Sequence, residues 1–193
     1  GLGHNTVLYD GNRSQYSFSI ASNALLTVAD SVGNRDGFDS LSHIDYLQFA
    51  NKVVVVANAD NANLARLYSA ALGRAPDQGG LNLWEEIYAT NVPTAVKAQG
   101  PVIALAQTDI GGLSIAGGFT HSPEFISRYG ALTNADFVTL WNNNVLDRGP
   151  DPIGLSTWLD LMQHTHTREM VLVGFAESSE NIAKTAADWL LQI

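Results

Sequence analysis

Five residues recur along the chain at one fixed offset. Arg74, Asp77, Gly80, Leu81 and Trp84 return as Arg148, Asp151, Gly154, Leu155 and Trp158, each 74 positions further on. The stretch from Leu67 to Trp84 thus has a degenerate second copy from Leu140 to Trp158, which constrains the chain to build two versions of one supersecondary unit. Each copy reads as helix, tight turn, helix. Asp77 and Asp151 stand where an N-cap oxygen accepts from the amides of the following turn, and Pro152 suits the first helical position. Arg74 and Arg148 precede those aspartates closely enough for a guanidinium to bond a carboxylate across the turn. Leu81 with Trp84, and Leu155 with Trp158, share a helix face. The first reading is a structural turn used twice. The alternative makes Asp77 and Asp151 calcium ligands, or Trp84 and Trp158 sugar-stacking platforms. Calcium wants about six to eight oxygens, and few lie nearby in sequence.

The period changes near residue 58. Leu64, Leu67, Tyr68, Ala71 and Leu72 form one helical stripe. Ser122 with Pro123 opens a helix that Gly130 closes, Thr133 opens another, and Asp151, Thr167 and Ser178 or Ser179 open three more, the last running through Trp189. About seven or eight short helices are expected over 58–193. Before that point the period is two: Tyr16, Phe18 and Ile20, then Leu26 and Val28, then Leu47 and Phe49, followed by the apolar run Val53 to Val56. Turns fall at Asp10-Gly11-Asn12, Gly33 to Gly37 and Ala50-Asn51-Lys52. The expected fold class is α+β, mainly α, with a small antiparallel β unit over 1–57 and a duplicated helical domain over 58–193.

The two copies differ in length. From Trp84 to Gly118 is 34 positions and from Trp158 to Gly174 is 16, so the first copy carries 18 extra residues. They lie within 92–118, which includes the small-residue run Ala98 to Ala106 and the glycine-rich run Gly111 to Gly118. Additions to a scaffold are where binding is commonly placed. The insertion reads either as an extra helix with loops packed on the bundle or as the wall of an apolar cleft or partner surface.

The Leu-Tyr…Arg…Asp…Gly-Leu…Trp pattern is followed by Gly118-Phe119-Thr120-His121-Ser122-Pro123-Glu124-Phe125 and, more weakly, by Gly174-Phe175-Ala176-Glu177-Ser178-Ser179-Glu180-Asn181. Together these resemble a small helical domain of unknown function, often duplicated, found in secreted bacterial proteins beside RTX (repeats-in-toxin) calcium-binding repeats. Gly1-Leu2-Gly3-His4-Asn5-Thr6-Val7 and Gly37-Phe38-Asp39-Ser40-Leu41 resemble worn RTX nonapeptides, and Thr6 to Val56 resembles the β cap that ends such arrays. The resemblance implies type I export as the tail of a larger secreted protein, calcium-rich surroundings, and Asp36 and Asp39 as candidate calcium ligands. The residues themselves equally admit hydrated turn carboxylates that break a strand edge. No activity comes with the resemblance.

A net charge of −9 with only 10 Lys plus Arg argues against a nucleic-acid groove and disfavours an anionic membrane surface. No apolar run is long enough to span a membrane. The absence of cysteine suits a reducing compartment or a secreted protein without disulfides. His121, Ser122 and Glu124 invite comparison with a catalytic trio, but neighbours at one helix start rarely aim a base at a nucleophile, and capping accounts for Ser122 and Glu124. No nucleophile elbow, phosphate loop or zinc-protease motif occurs. The expectation is therefore an extracellular or cell-surface binding or adhesion module, non-catalytic, with a glycan, matrix or surface-layer partner and with Trp84, Trp158 and His121 as candidate ligand-binding residues. The alternative is a secreted hydrolase acting on an extracellular polymer or ester, with its cleft at the 92–118 insertion.

Overall fold

The period-two segments become strands. In the computed structural model, which describes residues 5–20, 25–56 and 59–185, strands β1 (Thr6–Leu8), β2 (Tyr16–Ile20), β3 (Leu26–Asp30), β4 (Phe38–Leu41), β5 (Tyr46–Phe49) and β6 (Lys52–Val55) form two three-stranded sheets. The sheet β2-β3-β4 is antiparallel, as is the β5–β6 pair, but β1 runs parallel to β5. That parallel pair exists because the whole β2-β3-β4 sheet lies between the two strands in sequence, and only a long crossover can bring strands together in the same direction. Tyr9, Tyr16, Leu26, Val28, Leu47 and Phe49 fill the core. Its aromatic centre has Tyr9 stacked on Phe49 at 5.2 Å and Tyr16 tilted against both. At the rim Arg35 forks onto Asp30, with Nε at 2.7 Å and Nη2 at 2.5 Å from its two oxygens. The guanidinium, ahead of the amides of Val32 and Asp36, holds the Asp30 carboxyl down at about 2.

The chain divides into two compact units between Ala59 and Asp60. The second unit has nine α-helices among the described residues: α1 (Ala59–Leu72), α2 (Gln78–Asn91), α3 (Thr94–Lys97), α4 (Ile115–Thr120), α5 (Pro123–Tyr129), α6 (Asn134–Leu146), α7 (Pro152–His164), α8 (Arg168–Ala176) and α9 (Ser179–Thr185). The expected stripe on α1 is buried throughout, from Leu64 to Leu72. Capping sets the boundaries. Ser122, Thr133, Asp151 and Thr167 each accept from the amide three residues on, and Gly130 closes α5. Trp189 lies outside the described residues.

The repeat is a repeat of structure. Helices α1, α2, α4 and α5 correspond to α6, α7, α8 and α9. Gly73 leaves α1 in the left-handed region at φ 61°, and Asp147, 74 positions later, leaves α6 there at φ 53°. Their amides close the same bond, Gly73 N to Ser69 O and Asp147 N to Asn143 O, where Asn143 is the counterpart of Ser69. Aspartate tolerates this conformation better than most side chains, so the second copy turns without a glycine. Into the first copy is inserted α3 and a π-helical turn, Val102–Gln107, whose Ala104, Leu105 and Ala106 are buried and which packs against α4 and α8.

Candidate functional site

The repeated turn is a closed polar cluster. Asp77 Oδ1 accepts from Gly80 N at 2.8 Å, and Asp151 Oδ1 from Gly154 N at 2.7 Å. Arg74 reaches Asp77 Oδ2 at 3.2 Å, as the spacing suggests, but its better partner is Glu124, with Nε at 2.7 Å and Nη2 at 2.8 Å from the two carboxylate oxygens. In the second copy Arg148 Nη2 donates to Glu180 Oε2 at 3.1 Å. Glu124 and Glu180 occupy the same place in the Gly-Phe-x-x-Ser-x-Glu element, so each copy ties its first turn to its last helix by an Arg–Glu pair. The copies part at Tyr68. Its hydroxyl donates to Asp77 Oδ2 at 2.7 Å and, ahead of the Gly80 amide, holds that carboxyl down at about 2. Asn142 stands in its place in the second copy and turns its side-chain amide back to Val138 O. These pairs are substantially exposed, so each contributes little to stability on its own.

The tryptophans mark the other half of the repeat. Trp84 stacks on Phe119 at 4.6 Å and 25°, and Trp158 lies over Phe175 at 5.1 Å and 31°. Each ring tip meets a helical glycine, Gly118 or Gly174. One face of each candidate platform is thus engaged by phenylalanine, and both indoles are half-buried. A Cβ at position 118 would stand 2.4 Å from Trp84 Cη2, whereas one at 174 would stand 3.3 Å from Trp158 Cη2. Gly118→Ala is therefore expected to lower stability by about 1–3 kcal/mol through overpacking. Gly174→Ala is expected to be close to neutral, because the helix gains roughly 0.5–1 kcal/mol from alanine while the ring shifts by a few tenths of an ångström. Urea unfolding of the two variants measures the contrast.

The remaining residues singled out in the sequence are held by neighbours. His121 Nδ1 lies 2.9 Å from Gly117 O and 3.1 Å from Thr120 Oγ1, Ser122 Oγ caps Phe125 N at 3.1 Å, and Glu124 faces Arg74. The three are not assembled around a common point. Asp36 accepts from the Tyr16 hydroxyl and from Asp10 N at 3.0 Å, and Asp39 from the Tyr9 hydroxyl at 3.1 Å. Tyr9 and Tyr16 are both pushed upward, first by burial and then by these carboxylates. Among the described residues no group of three or more His, Asp or Glu is placed to hold a metal ion.

A concave site lies at the insertion. A cleft of about 280 Å³ is lined by the end of the π-helical turn (Ala106, Gln107), the following loop (Asp109, Gly112, Leu113) and the first turns of α4 (Ser114, Gly117) and α8 (Thr167, Glu169). Its floor is set by capping: Ser114 Oγ accepts from Gly117 N at 3.0 Å and Thr167 Oγ1 from Met170 N at 3.3 Å. Its outer wall is a glycine turn in which Asp109 Oδ1 accepts from Gly111 N at 2.7 Å and Gly112 N at 2.5 Å. Those two amides hold the Asp109 carboxyl below its ordinary range. Leu113 is exposed at the rim. Sequence reasoning placed the cleft region but missed Asp109 and Glu169, which the fold brings to one cavity from 60 positions apart.

Residues 116–185 match the family model described as Domain of unknown function (DUF4214). The matched stretch starts inside α4 and runs through α9. It holds the Arg148–Glu180 pair and the Trp158–Phe175 stack, while Arg74, Asp77 and Trp84 lie before it. Comparison with curated proteins and with solved structures gave no match.

Proposed function

We propose that this chain is an extracellular, non-catalytic binding or adhesion module whose ligand is a glycan and whose ligand seat is the cleft at the insertion. The observation that carries this reading is where the cleft lies. The repeated Arg, Asp, Glu and Trp residues are engaged with one another, whereas the end of the inserted segment, with the first turns of α4 and α8, lines a concave surface with polar side chains and an exposed leucine. Gln107, Asp109 and Glu169 supply hydrogen-bond acceptors, Ser114 and Thr167 supply hydroxyls, and Leu113 supplies an apolar edge for a ring face. Ligand pockets run from about 300 Å³ upward, so a cleft of about 280 Å³ suits one ring of a polymer. The extracellular setting, type I export and calcium-rich surroundings rest on the resemblance to domains that accompany RTX repeats, and an acidic composition without cysteine permits them.

A glycan array probed with and without calcium tests the proposal. A retained glycan is expected to be lost by Leu113→Ser and kept by Glu86→Gln, which changes an exposed acid outside the cleft. Retention of no polysaccharide under either condition would contradict it. Asp109 and Glu169 on one cleft also favour a hydrolase as the second reading. Cleavage of the retained glycan, abolished by Glu169→Gln, would replace the binding role with that one.

A further inference from the structure

Resting on the glycan reading, we propose that the cleft selects a sugar residue carrying a free, protonated amine, as in a 2-amino-2-deoxyhexose, over neutral, N-acetylated and anionic sugars. Of the nine residues that line the cleft, the ionisable ones are both carboxylates, Asp109 and Glu169, and none is Lys, Arg or His. The acceptors are also open. Asp109 uses only Oδ1 on the amides of Gly111 and Gly112, and Oδ2 receives no donor among the described residues. Glu169 Oε1 has Thr120 Oγ1 at a long 3.4 Å, and Oε2 receives no donor among them. Gln107 turns its Nε2 to Met170 Sδ at 3.5 Å, which leaves its carbonyl oxygen to accept.

A lining of this kind has hydroxyl and amide donors but no cationic one to face its carboxylates. An ammonium group brings three donors and no acceptor, so it satisfies such oxygens where a hydroxyl does so only in part. Charge adds to the match, since hydrogen bonds to ionised partners are roughly twice as strong as neutral ones. Acetylating the amine removes the charge and places a carbonyl oxygen against carboxylates. A uronate or sulfate sugar would meet those carboxylates and the field of a chain of net charge −9.

Isothermal titration of the full chain with glucosamine tetramer and with N-acetylglucosamine tetramer separates the possibilities. Glucosamine tetramer is expected to bind at least about tenfold more tightly, with about the same factor lost in Asp109→Asn and in Glu169→Gln but not in Glu86→Gln. Its affinity is expected to fall as pH rises through the amine's own pKa, with no such fall for the acetylated tetramer. Equal binding of both tetramers overturns the amine selectivity and leaves the glycan seat standing. Loss in Glu86→Gln equal to that in the cleft variants means general charge attraction and overturns it too. Equal affinity for N-acetyl-lysinamide shows a bare ammonium site and overturns the sugar assignment. Absence of binding to any sugar overturns the inference and the glycan reading together.

Discussion

Trp141→Ala is expected to destabilise the helical unit by about 3–5 kcal/mol, the range for removing a buried aromatic side chain. The indole is wholly inaccessible to solvent. Phe137 meets it edge-on at 5.1 Å and 88°, Tyr129 at 6.4 Å and 76°, and Phe125 tilts against it at 6.0 Å. It joins α5 to α6, the last helix of one copy to the first of the next. Such rings contribute roughly 0.5–1.5 kcal/mol per pair beyond their buried area. Trp141→Phe is expected to cost much less, because the buried indole Nε1 has no hydrogen-bond partner among the described residues and no bond to them is lost with it. Urea unfolding followed by tyrosine and tryptophan fluorescence and by far-ultraviolet dichroism gives both values. Similar losses in the two variants would show that the cluster tolerates a cavity and that the aromatic contact between copies carries little weight.

Arg66→Met is expected to cost about 3–5 kcal/mol near neutral pH, because it strands a buried carboxylate. Arg66 on α1 forks onto Glu177 at the end of α8, with Nε at 2.9 Å and Nη2 at 2.6 Å from its oxygens, and Nη2 also meets Asn63 Oδ1 at 2.7 Å. Both side chains are nearly inaccessible. Burial, the larger influence, pushes the Glu177 carboxyl above its ordinary value, and Arg66 pulls it back. Without the arginine only the upward push is left, so the folded state binds a proton over a pH range in which the unfolded chain has released it. Stability of Arg66→Met should therefore fall as pH rises from the ordinary carboxyl value through the raised one, more steeply than in the parent chain. The double variant Arg66→Met/Glu177→Leu should recover most of the loss. A pH-independent difference between Arg66→Met and the parent would show that Glu177 is not the group left unpaired.

That ion pair also shows what a sequence repeat hides. Arg66 corresponds to Leu140 and Glu177 to His121, so the pair has no counterpart and no spacing announced a contact across 111 positions. The turns were legible because a cap, a left-handed exit and a shared helix face are local rules with fixed offsets, and Asp77, Asp151, Trp84 and Trp158 obey them twice. The Arg74–Glu124 and Arg148–Glu180 pairs were half legible: both motifs could be read, but not that the end of one grips the start of the other. The strands β2, β3 and β5 follow from alternation, and β6 from its apolar run. The parallel pairing of β1 does not, because it depends on a crossover that a window of a few residues never sees. The π-helical turn at Val102–Gln107 has the composition of an ordinary buried helix, so its wider winding could not be read from its residues. For the same reason the cleft's region could be anticipated from the length difference between copies, whereas its acids could not.

Recognition by the inserted segment, on a scaffold whose repeated residues serve structure, is tested most directly by mapping amide shifts in nuclear magnetic resonance spectra. The full chain is titrated with glucosamine tetramer and, separately, with N-acetylglucosamine tetramer. The account predicts that perturbations concentrate at 106–117 and 167–169, with the turns at Arg74–Asp77 and Arg148–Asp151 unchanged. Shifts that appear alike at Trp84 and Trp158, with the insertion silent, would place recognition on the repeat itself and contradict it.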